Sequence, residues 1–127
     1  MLRAALLSAL LLASGAAQAC GVCVEDKMAA VYDHAVVTRA LGRKHHVAFF
    51  HVEGALVAGD ATKRFLEKTA EAAATTDRGS ARASVESSSL AVAFDPRRGG
   101  VAALQKDIER RLAGKNLTLS LMQVLDR

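Results

Sequence analysis

The chain has 127 residues, with 17 Lys and Arg against 13 Asp and Glu, a formal charge of +4, no Trp and one Tyr. That length holds one domain with a modest core. Bases and acids are interspersed, with no block of Lys and Arg longer than pairs such as Arg43-Lys44 and Arg97-Arg98, and aromatic platforms are missing, which excludes the pattern of a nucleic-acid binder.

The first element reads as a secretory leader. Met1-Leu2-Arg3 is followed by an apolar run from Ala4 to Ala13 and by Ser14-Gly15-Ala16-Ala17-Gln18-Ala19, with small residues at the positions a signal peptidase inspects. Cleavage after Ala19 is expected. The apolar run is about ten residues, against the roughly 20 of a permanent membrane anchor, so no transmembrane span is expected in the mature chain. Removing residues 1–19 leaves 108 residues in which 16 Lys and Arg face 13 Asp and Glu, a formal +3. The expected location is the periplasm or the exterior. Lipoprotein anchoring at Cys20 competes, but it is disfavoured because a lipobox wants a large aliphatic residue where Ala17 stands.

Cys20-Gly21-Val22-Cys23 follows the leader directly and contains both cysteines of the chain. Behind it, Val24, Met28, Val31, Ala35 and Thr38 recur at helical spacing, widened by Ala30, Val37 and Leu41, which predicts one amphipathic helix over 24–41. Glu25 and Asp26 suit its positive end, and Gly42 with Arg43 and Lys44 ends it. His45 to Val52 is apolar on both alternating faces and predicts a strand covered on both sides. Asp60, read as an N-cap, opens a second helix to about Ala74 that buries Ala61, Phe65, Thr69 and Ala72 or Ala73.

After a turn at 75–80, Ala81, Ala83 and Val85 alternate with polar residues as a half-exposed strand. A hairpin at 87–89 leads to a strand carrying Leu90, Val92 and Phe94. Asp95-Pro96 ends it, because proline donates no ladder hydrogen bond. Val101, Leu104, Ile108 and Leu112 mark a helix that closes at Gly114, and Leu117 to Leu125 alternates as a last strand. The β-α-β-β-α-β order favours an α+β fold, a ferredoxin-like sandwich with an additional N-terminal helix. The expected organisation is a signal peptide at 1–19, the Cys-x-x-Cys segment and helix at 20–44, and the ferredoxin-like domain at 45–127.

Over about Val47 to Leu125 the chain resembles the heavy-metal-associated domain of metal-transporting ATPases, copper chaperones and the periplasmic mercury-binding protein. The resemblance lies in Phe50-His51-Val52-Glu53-Gly54, Ala81 to Val85, Leu90-Ala91-Val92-Ala93-Phe94-Asp95-Pro96 and Leu104 to Glu109. It implies the fold and a soft-metal cargo. The family's two metal-binding cysteines, just after the strand-one glycine, are replaced here by Gly54-Ala55-Leu56-Val57-Ala58-Gly59-Asp60, which holds no thiol.

Geometry suggests a substitute. An 18-residue helix spans about 27 Å at 1.5 Å per residue, and the short 42–44 connection sends the strand back antiparallel by roughly 20 Å from His45 to His51. Cys20, Cys23, His51 and the 54–59 loop are therefore expected at one end. Two thiolates three apart at a helix start suit one soft ion, copper(I) above all, with zinc or mercury as alternatives, and His51 is the candidate third ligand. A protein partner would receive the ion, and no enzymatic turnover is implied. Two other readings remain open: thiol–disulfide redox chemistry, and a noncatalytic interaction domain with a structural disulfide. His34 lies about 16 Å along the helix from Cys23, too far to share its ion. His45 and His46 point to opposite faces of their strand, and Met28 reads as core.

Overall fold

The structure is a computed structural model that describes residues 23–127. Two helices come first, α1 (Val24–Ala29) and α2 (His34–Gly42). They are followed by β1 (His46–Glu53), α3 (Asp60–Glu71), β2 (Arg82–Ser84), β3 (Ser89–Phe94), α4 (Val101–Leu112), a 3₁₀ turn (Ala113–Lys115) and β4 (Thr118–Leu125). The strands form one sheet in the order β2-β3-β1-β4, antiparallel throughout. This is the expected ferredoxin-like α+β arrangement.

The single helix expected over 24–41 is two. The Asp33 side chain accepts from the backbone N–H of Val36 at 3.1 Å and so caps a new helix start, while Val31 N–H bonds back to Met28 O at 3.1 Å and tightens the end of α1. A short polar side chain that satisfies an orphan donor competes with continued helix, and here it wins. The buried stripe shifts accordingly to Val31, Val36, Val37 and Ala40, with Ala35 and Thr38 exposed.

β1 is buried on both faces, as its unbroken apolar run requires. Ala48, Phe50 and Val52 pack with Leu66 and Ala70 of α3 and Leu104, Ile108 and Leu112 of α4. Val47 and Phe49 pack with Val31, Val36, Val37 and Ala40 on the other side, joined by Ala91 and Ala93 of β3. The N-terminal helices thus cover the face that a bare ferredoxin-like sheet would leave to solvent.

Both outer strands are shielded by helix side chains. Glu71 and Glu67 of α3 accept from Ala81 N–H and Ala83 N–H at 3.3 and 3.0 Å, beside β2. On β4, Glu109 accepts from Leu119 N–H at 3.1 Å and Gln105 donates to Leu119 O at 2.9 Å. Such cover blocks strand addition at those positions.

Smaller boundaries also differ from expectation. Gly59, at φ 125°, is the N-cap of α3, and Asp60 is its first residue. β2 stops at Ser84, and the chain turns through Ser88, which takes a positive φ of 49°. Ala61 is exposed and Phe65 half-buried, the core stripe of α3 running through Leu66, Thr69 and Ala70, with Ala73 buried just past its end.

Candidate functional site

Cys23 occupies the N-cap of α1 with extended backbone, φ −65° and ψ 141°, and its carbonyl accepts from Lys27 N–H at 3.1 Å. It is half-buried. Cys20 lies outside the described residues, and so does the leader read at 1–19. The first turn of α1 carries Glu25 and Asp26, whose charge suits the positive end of the helix.

The start of α1 and the end of β1 meet. Val24 and Lys27 share an open cleft of about 510 Å³ with His51, Glu53, Ser120 and Met122. Lys27 Nζ lies 3.2 Å from His51 Nδ1 and donates to Ser87 O at 2.8 Å. An ammonium has only donors, so Nδ1 of His51 is the acceptor and a neutral ring carries its proton on Nε2. Glu53 accepts from the hydroxyls of Ser120 and Thr118. The Ser120 hydroxyl holds the Glu53 carboxyl below its usual range against the opposing pull of partial desolvation, and Thr118 and the nearby His51 act in the same direction as Ser120.

Met122 reaches this cleft through an irregularity that strict alternation hides. Phe49 pairs with Gln123 and Phe50 with Leu121, so Met122 is the extra residue of a β-bulge in β4. Both Leu121 and Met122 then line the cleft. Val24 and Leu121, 46% and 42% exposed, leave an apolar rim beside the polar groups.

The Gly54 to Gly59 loop does not open into that cleft. Ala55, Leu56 and Val57 line a separate one of about 350 Å³ against Ala61 and Phe65 of α3 and Leu117, on the α3/α4 side of the sheet. The expected meeting of the N-terminal segment with β1 therefore involves His51 and Glu53 rather than this second cleft. Among the described residues, no three His, Cys, Asp or Glu side chains converge as a metal shell.

The remaining histidines are engaged elsewhere. His34 is exposed at the start of α2 and lies 3.3 Å from the Tyr32 hydroxyl and 3.4 Å from Thr38 Oγ1. His46 meets the Phe94 ring edge-on at 5.7 Å. His45 Nδ1 lies 2.9 Å from both carboxylate oxygens of Asp77, and its Nε2 is 3.7 Å from Asp95, which Arg97 also contacts. The hydrogen bond from Arg97 keeps the Asp95 carboxyl below its ordinary value despite desolvation. This network fastens the 75–80 turn to the start of β1. A separation of 32 residues between His45 and Asp77 left it without a local sequence signal.

No protein-family model matches the chain, and no curated protein matches it. The fold is similar to that in the crystal structure of oxidised MerP from Ralstonia metallidurans CH34, with a TM-score of 0.47 and 18% identity, over 61% of this chain and 96% of that one. Among the described residues, no helix is long and apolar enough to cross a membrane.

Proposed function

We propose that the chain is an exported carrier of a soft metal ion. Cys20 and Cys23 hold the ion, copper(I) by preference, with His51 as a third donor, and the ion passes to a partner protein by ligand exchange. Few-coordinate thiolate binding suits such transfer, because an incoming thiol can add before the first one leaves. Soft thiolate donors favour copper(I) and also accept zinc or mercury.

The supporting observation is the shared cleft: Cys23 immediately precedes Val24, which lines one wall with Lys27, while His51 lines the other. The apolar rim at Val24 and Leu121 gives a receiving protein something to seat against. Chemically, the role is binding and transfer without turnover.

The test is intact mass of the exported protein under reducing and nonreducing conditions, combined with metal analysis. One ion per chain, lost when Cys20→Ser and Cys23→Ser are introduced together, is expected. A diacylglycerol adduct on Cys20 would remove its thiol and end the two-thiolate site. A metal-free protein whose dithiol has a reduction potential in the range of oxidoreductases would establish redox chemistry instead. A metal-free protein with an inert disulfide would leave the interaction domain.

A further inference from the structure

At the other end of β1 a second polar cleft, of about 310 Å³, opens between α2 and the 75–80 turn. Val47, at that end, pairs with Ala93 on the cleft wall, whereas His51 pairs with Ser89, so the two ends lie roughly 13 Å apart at 3.3 Å per residue. Arg39 in the last turn of α2, Arg43 at its C-cap, and Arg78 from the turn line this cleft together. Its floor is small and buried, with Ala40 and Ala93 at 1% exposure and Ser80 at 5%.

Several other arginines are matched to carboxylates: Arg82 to Asp33, Arg97 to Asp95, Arg110 and Arg111 to Asp107, and Arg127 to Asp126. Among the described residues, Arg39, Arg43 and Arg78 have no such match; Arg64 and Arg98 have none either, but only the first three share one cleft. The end of α2 explains the placing of Arg39 and Arg43, since cations suit a helix C-terminus, but Arg78 comes from another element. Asp77 is the one acid on the cleft wall, and both of its oxygens are turned to His45 Nδ1 at 2.9 Å. Ser80 Oγ is committed to Asp77 O at 2.7 Å and accepts from Ala93 N–H at 3.1 Å, which leaves the guanidinium groups as the donors.

We propose that Arg39, Arg43 and Arg78 form a binding site for a phosphate-class oxyanion. Planar guanidinium groups present paired N–H donors that fit two oxygens of a tetrahedral anion at once, and three exposed ones lining the same cleft suit a phosphate or phosphomonoester group. The group comes either from a small phosphorylated molecule or from an anionic lipid headgroup.

The test uses the full exported chain with inorganic phosphate, and chloride at matched ionic strength as reference. Phosphate is expected to raise Tm saturably, as a ligand of the native state does, and to shift the amide resonances of Arg39, Ser80 and Ala93. Arg39→Gln with Arg78→Gln is expected to weaken phosphate binding at least tenfold, and Arg64→Gln on α3 to leave it unchanged. Circular dichroism verifies that the variants fold. Vesicles of phosphatidylcholine with and without phosphatidylglycerol separate the sources: anionic-vesicle binding lost in the double variant, with no response to free phosphate, assigns the group to a lipid. Phosphate and chloride acting alike with no anionic-vesicle binding, or a double variant that binds like the wild type, would overturn the site. Cys20→Ser with Cys23→Ser is expected to leave phosphate binding intact, so the two proposals fail separately.

Discussion

Lys27 stands in the way of the third donor of the proposed metal site, and its replacement tests His51 directly. Its ammonium sits 3.2 Å from His51 Nδ1 and is steadied by Ser87 O at 2.8 Å. Ligation through Nδ1 requires the ammonium to leave. Ligation through Nε2 requires the ring proton to move to Nδ1, where it would face the same ammonium. Either route breaks one charge-assisted hydrogen bond, worth about 1.5–3 kcal/mol, and partial exposure places this one near the lower bound. About 1.4 kcal/mol is tenfold in affinity, so Lys27→Met is expected to tighten copper(I) binding about tenfold in competition with a chromophoric chelator. His51→Ala should weaken binding, and adding Lys27→Met to it should recover almost nothing, because the cycle isolates the pair. If Lys27→Met binds no tighter, or tightens equally without His51, the imidazole is not a ligand, and in the second case Lys27 acts only as a distant charge.

Phe49 is fully buried against the N-terminal helices, so Phe49→Ala is expected to cost about 3–5 kcal/mol in urea unfolding; a loss below about 1 kcal/mol would mean that those helices are not held to the sheet. Gly54 has φ 120°, and a Cβ there would meet Asn116 O and Leu117 Cδ2, each at 2.8 Å; Gly54→Ala should lower stability by about 1–3 kcal/mol, and a neutral result would contradict the tight β1 exit. Acid should destabilise the fold. The Val36 N–H and Arg82 hold Asp33 below its ordinary 3.8, Arg97 does so for Asp95, and Ser120 holds Glu53 below 4.5. Desolvation raises Asp107, but the Ala74 N–H, Arg111 and Arg110 outweigh it. Depressed native values contribute stability above those ordinary values and lose it as pH falls through them toward the native ones. Tm should therefore drop in that window, more gently at high salt, and a Tm that rises on acidification would refute the assignment.

The sheet was legible because each strand advertises its cover. Alternation at Ala81 and Ala83 marks an edge, and the unbroken run from Val47 to Phe50 demands a layer on each face. The break between α1 and α2 was also written in the chain, at Asp33, but a wide apolar stripe masked a cap whose signal is a single residue. Met122 shows a different limit. A bulge shifts every later side chain by one position, yet the residues from Leu117 to Leu125 are apolar often enough to satisfy either register.

Each candidate site gathers parts that lie far apart in the chain. Lys27 and His51 are 24 positions apart, and Ser120 and Glu53 are 67 apart, so no local motif joins them. The Cys-x-x-Cys spacing can be read without a fold; its surroundings cannot. What connects them is one physical requirement, the burial of Val47 and Phe49, which pulls α1 and α2 onto the open face of the sheet. The same docking sets the start of α1 beside His51 and the end of α2 over the 75–80 turn, so the proposed metal and anion sites occupy opposite ends of one packed layer. A substitution that loosens this layer, such as Phe49→Ala, should therefore weaken both ligands together. Lys27→Met and Arg39→Gln with Arg78→Gln should each move only one.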